Sequence, residues 1–332
     1  KVNALNNFCV GLPGNWPRCT SCHAGYGFKD AGFDFSKAEN VDCLVCHDTT
    51  GTYKKFPTSA GHPVYEGEKK EFPKGKLWLP VDLVKVAHSV GPTSRATCGS
   101  YHFYGGGGDH VKHGDLDTSL INPTPEIDIH MGGAKKMECQ ECHQAKDHLL
   151  KGEAASVTIS HAAPTHIDCS DCHTGSVHKN ALVNKHTERV ACQSCHIPTF
   201  AKSMPTKVWW DWSTAGREVK PEDAPKDQYG QKTYDRMKGD FKWEKDVVPT
   251  YMWFNGTFDR YLAGEKINPA EPVRLATPIG SRNDPKARIY PFKIMKGKQP
   301  YDSGNNTIAF VQVFGAPDSN AYWVKYDWNA AI

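Results

Sequence analysis

The sequence predicts a mainly α fold with extensive irregular loops. Its first two thirds should be organised around something other than an aliphatic core. Three observations predict this. Mean hydropathy is −0.58, and 29 glycines and 22 prolines interrupt the chain, so long apolar periodic runs are scarce. Pairs of cysteines two residues apart recur, each followed at once by histidine. Beyond residue 196 the chain has no cysteine and no histidine, but it is rich in tryptophan and tyrosine.

The recurring unit is Cys19-Thr-Ser-Cys22-His23. It returns at Cys43-Leu-Val-Cys46-His47, Cys139-Gln-Glu-Cys142-His143, Cys169-Ser-Asp-Cys172-His173 and Cys192-Gln-Ser-Cys195-His196. This is the attachment signal of c-type haem. Each thiol adds to one vinyl group of the porphyrin, and the adjacent histidine reaches the iron. A zinc or disulfide protein would not place histidine after the second cysteine every time. The residues therefore predict a multihaem c-type cytochrome, with covalent haems forming the core of residues 1–196. A sixth copy is altered: in Cys98-Gly-Ser-Tyr101-His102 a tyrosine stands where the second cysteine would be. A haem held through Cys98 alone and ligated by His102 is expected there, unless position 101 is naturally cysteine. Six haems c are expected in all. Cys9 is the one cysteine left over, so no disulfide framework is expected.

In order, residues 1–18 read as a loop lead. Between the first two motifs, Gly25-Tyr26-Gly27-Phe28 is suited to laying aromatics on a ring. Residues 48–80 read as surface loop, and 81–90 carry helical apolar spacing that stops at Gly91-Pro92. Four glycines, 105–108, precede Asp109-His110-Val111-Lys112-His113. No Gly-Lys-Ser/Thr follows, so this is not a phosphate loop; such glycines permit positive φ or close backbone approach to a flat cofactor. Residues 138–196 hold three motifs on short helices. Residues 197–332 read as a haem-free, aromatic-rich cap packing on the haem domain, with Thr307–Phe314 strand-like.

Six motif histidines, His23, His47, His102, His143, His173 and His196, are proximal ligands. The ten others also precede residue 197, and this segregation favours distal ligation. His113, His130, His148, His161, His178 and His186 are the chosen distal ligands; His62, His88, His110 and His166 rank below them. Iron held between two histidines carries electrons, whereas an iron with an exchangeable sixth ligand can do chemistry.

The chain resembles the octahaem tetrathionate reductase family. The resemblance rests on Asn6–Cys9, Cys19–Gly27, Asp42–Tyr53, Gly105–Asp117, Ala191–Phe200 and Trp210–Gly216. It implies a haem-packed, mainly helical fold in which bis-histidine haems feed one special haem with lysine in place of distal histidine. By motif match the lysine is Lys112, the aspartate beside it Asp109 and the cysteine Cys9, at the haem of Cys19, Cys22 and His23. His110 is the competitor for that iron. A neutral amine ligates only if its pKa is lowered, as burial does. The family has eight haems and this chain shows six, so the missing two belong before Lys1 and after Ile332, or the chain is a shortened relative.

Three functional classes follow: a carrier passing electrons along closely packed haems, a reductase of small sulfur or nitrogen oxyanions, and a subunit of a conducting filament. Redox proteins or other cytochrome subunits are the expected partners, with a homo-oligomer or filament as the assembly. Haem attachment places the protein in the periplasm or outside the cell. No leader-type segment opens the chain, which is expected to be mature or trimmed. No run is apolar enough to span a membrane, and the scattered lysines predict no nucleic-acid partner. The formal charge of +3 will be offset by the haem propionates. A pyridine haemochrome assay should return six haems per chain; four or fewer would refute the motif reading.

Overall fold

The computed structural model describes residues 14–73, 75–112, 114–152 and 167–332. Cys9, His113, His161 and His166 lie outside the described residues. The chain forms two compact units. One joins residues 14–105 to 310–332, and the other holds 106–309. The boundary read from residue types, 196/197, lies inside the second unit.

Helix is the minority element, against the mainly α expectation. The longest described helix, Arg95–His102, has eight residues. The reason is local. One turn suffices to present a haem motif, and the β-branched and aromatic stretches after residue 205 build ladders instead.

In the 14–105/310–332 unit, two of the short helices are started by polar side chains. Asp82 caps Leu83–Ala87 by accepting from the Lys85 amide at 2.9 Å. Ser94 and Thr97 form a reciprocal capping box on Arg95–His102. The helical reading of 81–90 is thus realised over Leu83–Ala87. Val45, Tyr53 and Val86 form an apolar cluster, with Leu44, Cys46 and Tyr101 packed on it.

Beside that cluster lies a buried polar network. Asp42 and Lys55 are 1% and 7% exposed and pair at 3.1 Å. Tyr26 and Tyr53 both donate to the Asp42 carboxylate. Lys55 also donates to the carbonyls of His23 and Gly25. Burial pushes both phenols well above the usual tyrosine range. Burial also pulls the Lys55 amine down, while Asp42 pulls it back up. One ion pair therefore fixes the backbone of the first motif, at His23, against the residue that opens the second, Asp42. Gly25 belongs to this fit: a Cβ there would lie 2.7 Å from the Asn40 carbonyl and 2.9 Å from His23 Nδ1.

Only Thr307–Ile308 of the strand-like 307–314 stretch pairs as a strand. Val311 and Val313 are buried, but their backbone groups meet Asn15. Its side chain donates to the Val311 carbonyl and accepts from the Val313 amide, both at 2.8 Å. Two short helices, Tyr322–Lys325 and Trp328–Ala331, follow, with Tyr322 stacked on Trp328 at 3.7 Å.

In the 106–309 unit, a four-stranded sheet runs in the order Lys296–Lys298, Thr206–Asp211, Gly239–Glu244, Tyr234–Asp235. The first pair is parallel and the others antiparallel. Trp210 and Trp212 are 2% and 1% exposed, stacked at 5.0 Å, with Phe241 edge-on to Trp210. These rings fill the sheet's own core. Thr250–Phe254 pairs with Arg288–Phe292, and Phe258–Arg260 with Ala276–Pro278. The last motif helix, Cys192–His196, is bound to this β region: Ser194 donates to the Ile289 carbonyl at 2.8 Å, and Ala191 N–H to the same carbonyl at 3.0 Å.

Lys55→Met should destabilise the protein by about 3–5 kcal/mol, because Asp42 is left charged, buried and unpaired. Adding Asp42→Asn should restore part of the loss. Denaturant titration of the holoprotein checks both; equal midpoints for wild type and the single variant would exclude this role.

Candidate haem-binding sites

The motif works because of helical geometry. Residues i, i+3 and i+4 share one face of a helical turn, so both cysteines and the histidine point the same way. The structure closes that turn at His47 and Cys43 (3.0 Å), His143 and Cys139 (2.8 Å), and His173 and Cys169 (2.8 Å), each a histidine N–H donating to the cysteine carbonyl. Among the described residues no cysteine is joined in a disulfide, and Cys19, Cys22, Cys43, Cys142, Cys172 and Cys195 are exposed.

Successive motifs are neighbours within each unit. Cys169 hydrogen-bonds Cys192, and Cys142 lies within electrostatic reach of Cys172. Motifs three, four and five therefore run side by side in the 106–309 unit. In the other unit Cys46 is within reach of Cys43 and Cys98. Tyr101, at the altered position, sits one helical turn from Cys98, in the apolar cluster and within reach of Cys22 and Cys46. Burial raises its phenol above the usual range. The side chain in place of the second cysteine is thus core, not a surface accident.

The histidines test whether the site fits haem. A metal-bound imidazole leaves one nitrogen for the iron and ties the other to an acceptor. His47 Nδ1 meets the Gly91 carbonyl at 2.8 Å and His143 Nδ1 the Lys151 carbonyl at 3.0 Å. His178 Nδ1 lies 3.2 Å from Asn184 Oδ1. Asn184 further clamps His178 by donating to its carbonyl at 2.7 Å and accepting from its amide at 2.9 Å. Gly152 lies against His143: a Cβ on its left-handed backbone (φ +129°) would stand 2.8 Å from Nδ1. His23 lies edge-on to Phe28, Phe33 and Phe35. Burial first, then the Lys55 charge, lowers its pKa, which favours the neutral ring that ligates metal.

Two motif histidines face a second ring. His178 and His196 have centroids 6.0 Å apart and planes at 17°, and His130 and His173 are 6.0 Å apart at 66°. An imidazole nitrogen bonds a metal at about 2.0–2.1 Å, so rings on opposite faces of one ion have centroids about 6 Å apart. The separation in each pair is thus that of two imidazoles held by one iron. His148 occupies a left-handed turn (φ +62°) of the Ala145–Leu150 hairpin, and His186 ends the helix Ala181–His186. The altered motif's His102 ends Arg95–His102.

The glycine run does adopt positive φ, at Gly106 (+80°) and Gly107 (+94°). The loop after it is pinned from below. His110 is 5% exposed, its Nδ1 meets the Pro205 carbonyl, and its ring lies 5.0 Å from Trp243. Thr206 donates to the His110 carbonyl at 2.9 Å. Lys293 Nζ donates to the carbonyls of Val111 and Lys112, each at 3.2 Å, and to Thr206 Oγ1. Both oxygens of Asp109 accept from Thr118, so this carboxylate braces the loop. Burial and the nearby Arg260 charge push the Lys112 amine down to about 8, and burial pushes Lys293 to about 7. Lys112 belongs to the 106–309 unit and the Cys19–His23 motif to the other.

The family model described as bacterial cytochrome c matches residues 207–332. An uncharacterized protein of Archaeoglobus fulgidus is 26% identical over 136 residues, which cover 39% of this chain and 45% of that protein, less than half its length. The crystal structure of octaheme cytochrome c from Shewanella oneidensis superposes with a TM-score of 0.84 at 47% identity, covering 99% of this chain and 70% of that one. The chain belongs to the octaheme cytochrome c family. As a cytochrome of this family it carries covalent haem c. The bacterial cytochrome c match falls on the stretch without cysteine or histidine, so this segment is itself part of a recurring cytochrome architecture. No described helix is long and apolar enough to cross a membrane.

Sequence reasoning missed Arg260, Lys293, Asp42, Lys55 and Asn184. Asp42 abuts Cys43 and carries a local signal; the others act only through contacts made by folding. Asn184→Ala should free His178, leaving haem content unchanged but altering the low-spin EPR signal of one haem. An identical EPR spectrum would refute the clamp.

Proposed function

We propose that this chain is an extracytoplasmic electron-transfer cytochrome whose six haems c are held mostly between paired histidines. The observation that carries this is the pair of facing rings, His178 with His196 and His130 with His173, each at 6.0 Å. When bound, haem c supplies one-electron redox chemistry. The chain's cysteines keep the cofactor in place, and the tied imidazoles hold its axial direction. The adjoining motifs, Cys142 beside Cys172 and Cys169 beside Cys192, favour short electron steps. The electrons pass to redox proteins or to other cytochrome subunits, in the periplasm or outside the cell.

A second reading is favoured by one observation. Burial pulls the Lys112 amine down to about 8, so deprotonation for ligation costs far less than for an exposed lysine. A neutral amine ligates iron and leaves more readily than imidazole. This reading makes the protein a reductase of small sulfur or nitrogen oxyanions, such as tetrathionate or nitrite, or of hydroxylamine, at a lysine-ligated haem. Asp109 and Cys9 are the accompanying residues in this reading.

Lys112→Ala decides between the two. The reductase reading expects an EPR signal distinct from the bis-histidine signals in wild type, its loss in the variant, and a fall in reduction of at least one of these three substrates. A wild-type spectrum of bis-histidine signals only, unchanged in Lys112→Ala, leaves the carrier reading.

A further inference from the structure

Arg260 closes the strand Phe258–Arg260 and is 6% exposed. Its Nε, Nη1 and Nη2 are all buried and find no hydrogen-bond partner among the described residues. Its described contact is with the Phe258 ring, at 4.9 Å from the centroid. The adjacent acid, Asp259, is exposed, and its Oδ1 accepts from the Arg260 amide. A guanidinium retains its proton throughout the ordinary pH range. Buried without an acceptor, it carries a desolvation cost that an anion would offset.

The surroundings hold two further basic side chains, Lys112 and Lys293. Phe258 packs on Phe292 at 6.0 Å. The next residue, Lys293, holds the Val111 and Lys112 carbonyls. Arg260 is close enough to Lys112 to act on its amine. The acids of the same loop bond elsewhere: Asp109 to Thr118, Asp115 to the Lys202 amide at 2.9 Å and Asp117 to the Ser119 amide at 2.8 Å.

We propose that Arg260, beside Lys112, is the anchor of a binding site for one small oxyanion, gripped along an edge by the guanidinium fork. Carboxylate, nitrite and sulfite share the required chemistry: two oxygens that take parallel N–H bonds. Two sources supply it. One is the propionate of a haem attached to this chain. The other is a free oxyanion from solution, and this source rests on the reductase reading.

The test uses the oxidised holoprotein, as wild type, Arg260→Gln and Arg260→Lys, with sodium sulfite and sodium nitrite as probes. Equilibrium binding is measured by calorimetry, and the haem potentials by titration without added anion. For a free oxyanion, wild type binds one sulfite or nitrite per chain, Arg260→Gln weakens this about tenfold or more, as expected for loss of charged hydrogen bonds, and Arg260→Lys retains part. For a propionate, neither probe binds, and Arg260→Gln lowers the potential of one haem by leaving a carboxylate uncompensated beside it. Binding without turnover would support the site while removing the reductase reading. Binding unaffected by either substitution would overturn the proposal. So would the absence of binding in wild type together with unaltered potentials in both folded variants.

Discussion

The structure depends on a single helical turn. Cysteines at i and i+3 and histidine at i+4 share a face only if that turn forms. The histidine-to-cysteine backbone bonds at His47, His143 and His173 show that it does. Local contacts support the helices around them. Asp82 and Ser94 start the neighbouring helices, and the Ile289 carbonyl receives the N–H of Ala191 and the hydroxyl of Ser194. Helices of four or five residues are unstable in isolation, so they persist here through the contacts that the rest of each unit makes with them.

The polar interior is organised by the same requirement. A buried Asp42–Lys55 pair is a weak stabiliser taken alone, because desolvation opposes the Coulomb gain. Its further bonds change that balance: two tyrosine hydroxyls satisfy the carboxylate, and two carbonyls satisfy the ammonium. Fully satisfied, the network ties the first motif's backbone to the start of the second. In the other unit the arrangement is reversed. Three basic side chains, Lys112, Arg260 and Lys293, gather in one region, and the guanidinium of Arg260 has no acceptor among the described residues. One network is closed on itself, and the other is open to an anion.

The cysteines and histidines were legible as chemistry from spacing alone, and the short motif helices followed from that spacing. The segment after residue 196 was legible only in part. Its lack of cysteine and histidine excluded haem attachment through a motif of its own, but that its aromatics include the buried stack of Trp210 on Trp212 at a four-stranded sheet was not legible. Strand pairing there joins Thr206–Asp211 to Lys296–Lys298, some ninety residues apart, and no local pattern encodes that partnership. The same limit applied to 307–314, where alternation was correct but the hydrogen-bond partner was the Asn15 side chain and not another strand.

What the sequence determined by itself is the covalent chemistry: which cysteines can hold haem, and which adjacent histidines can reach iron. Those relations span five residues, within which backbone geometry leaves little choice. What only the tertiary structure decided is which distant groups meet. His130 faces His173, His178 faces His196, and Asn184 orients His178. Arg260 is left buried within electrostatic reach of Lys112, with no acceptor among the described residues. Such meetings arise from packing across separations that run from six residues to more than a hundred. They depend on where the whole chain goes, which spacing along it does not express.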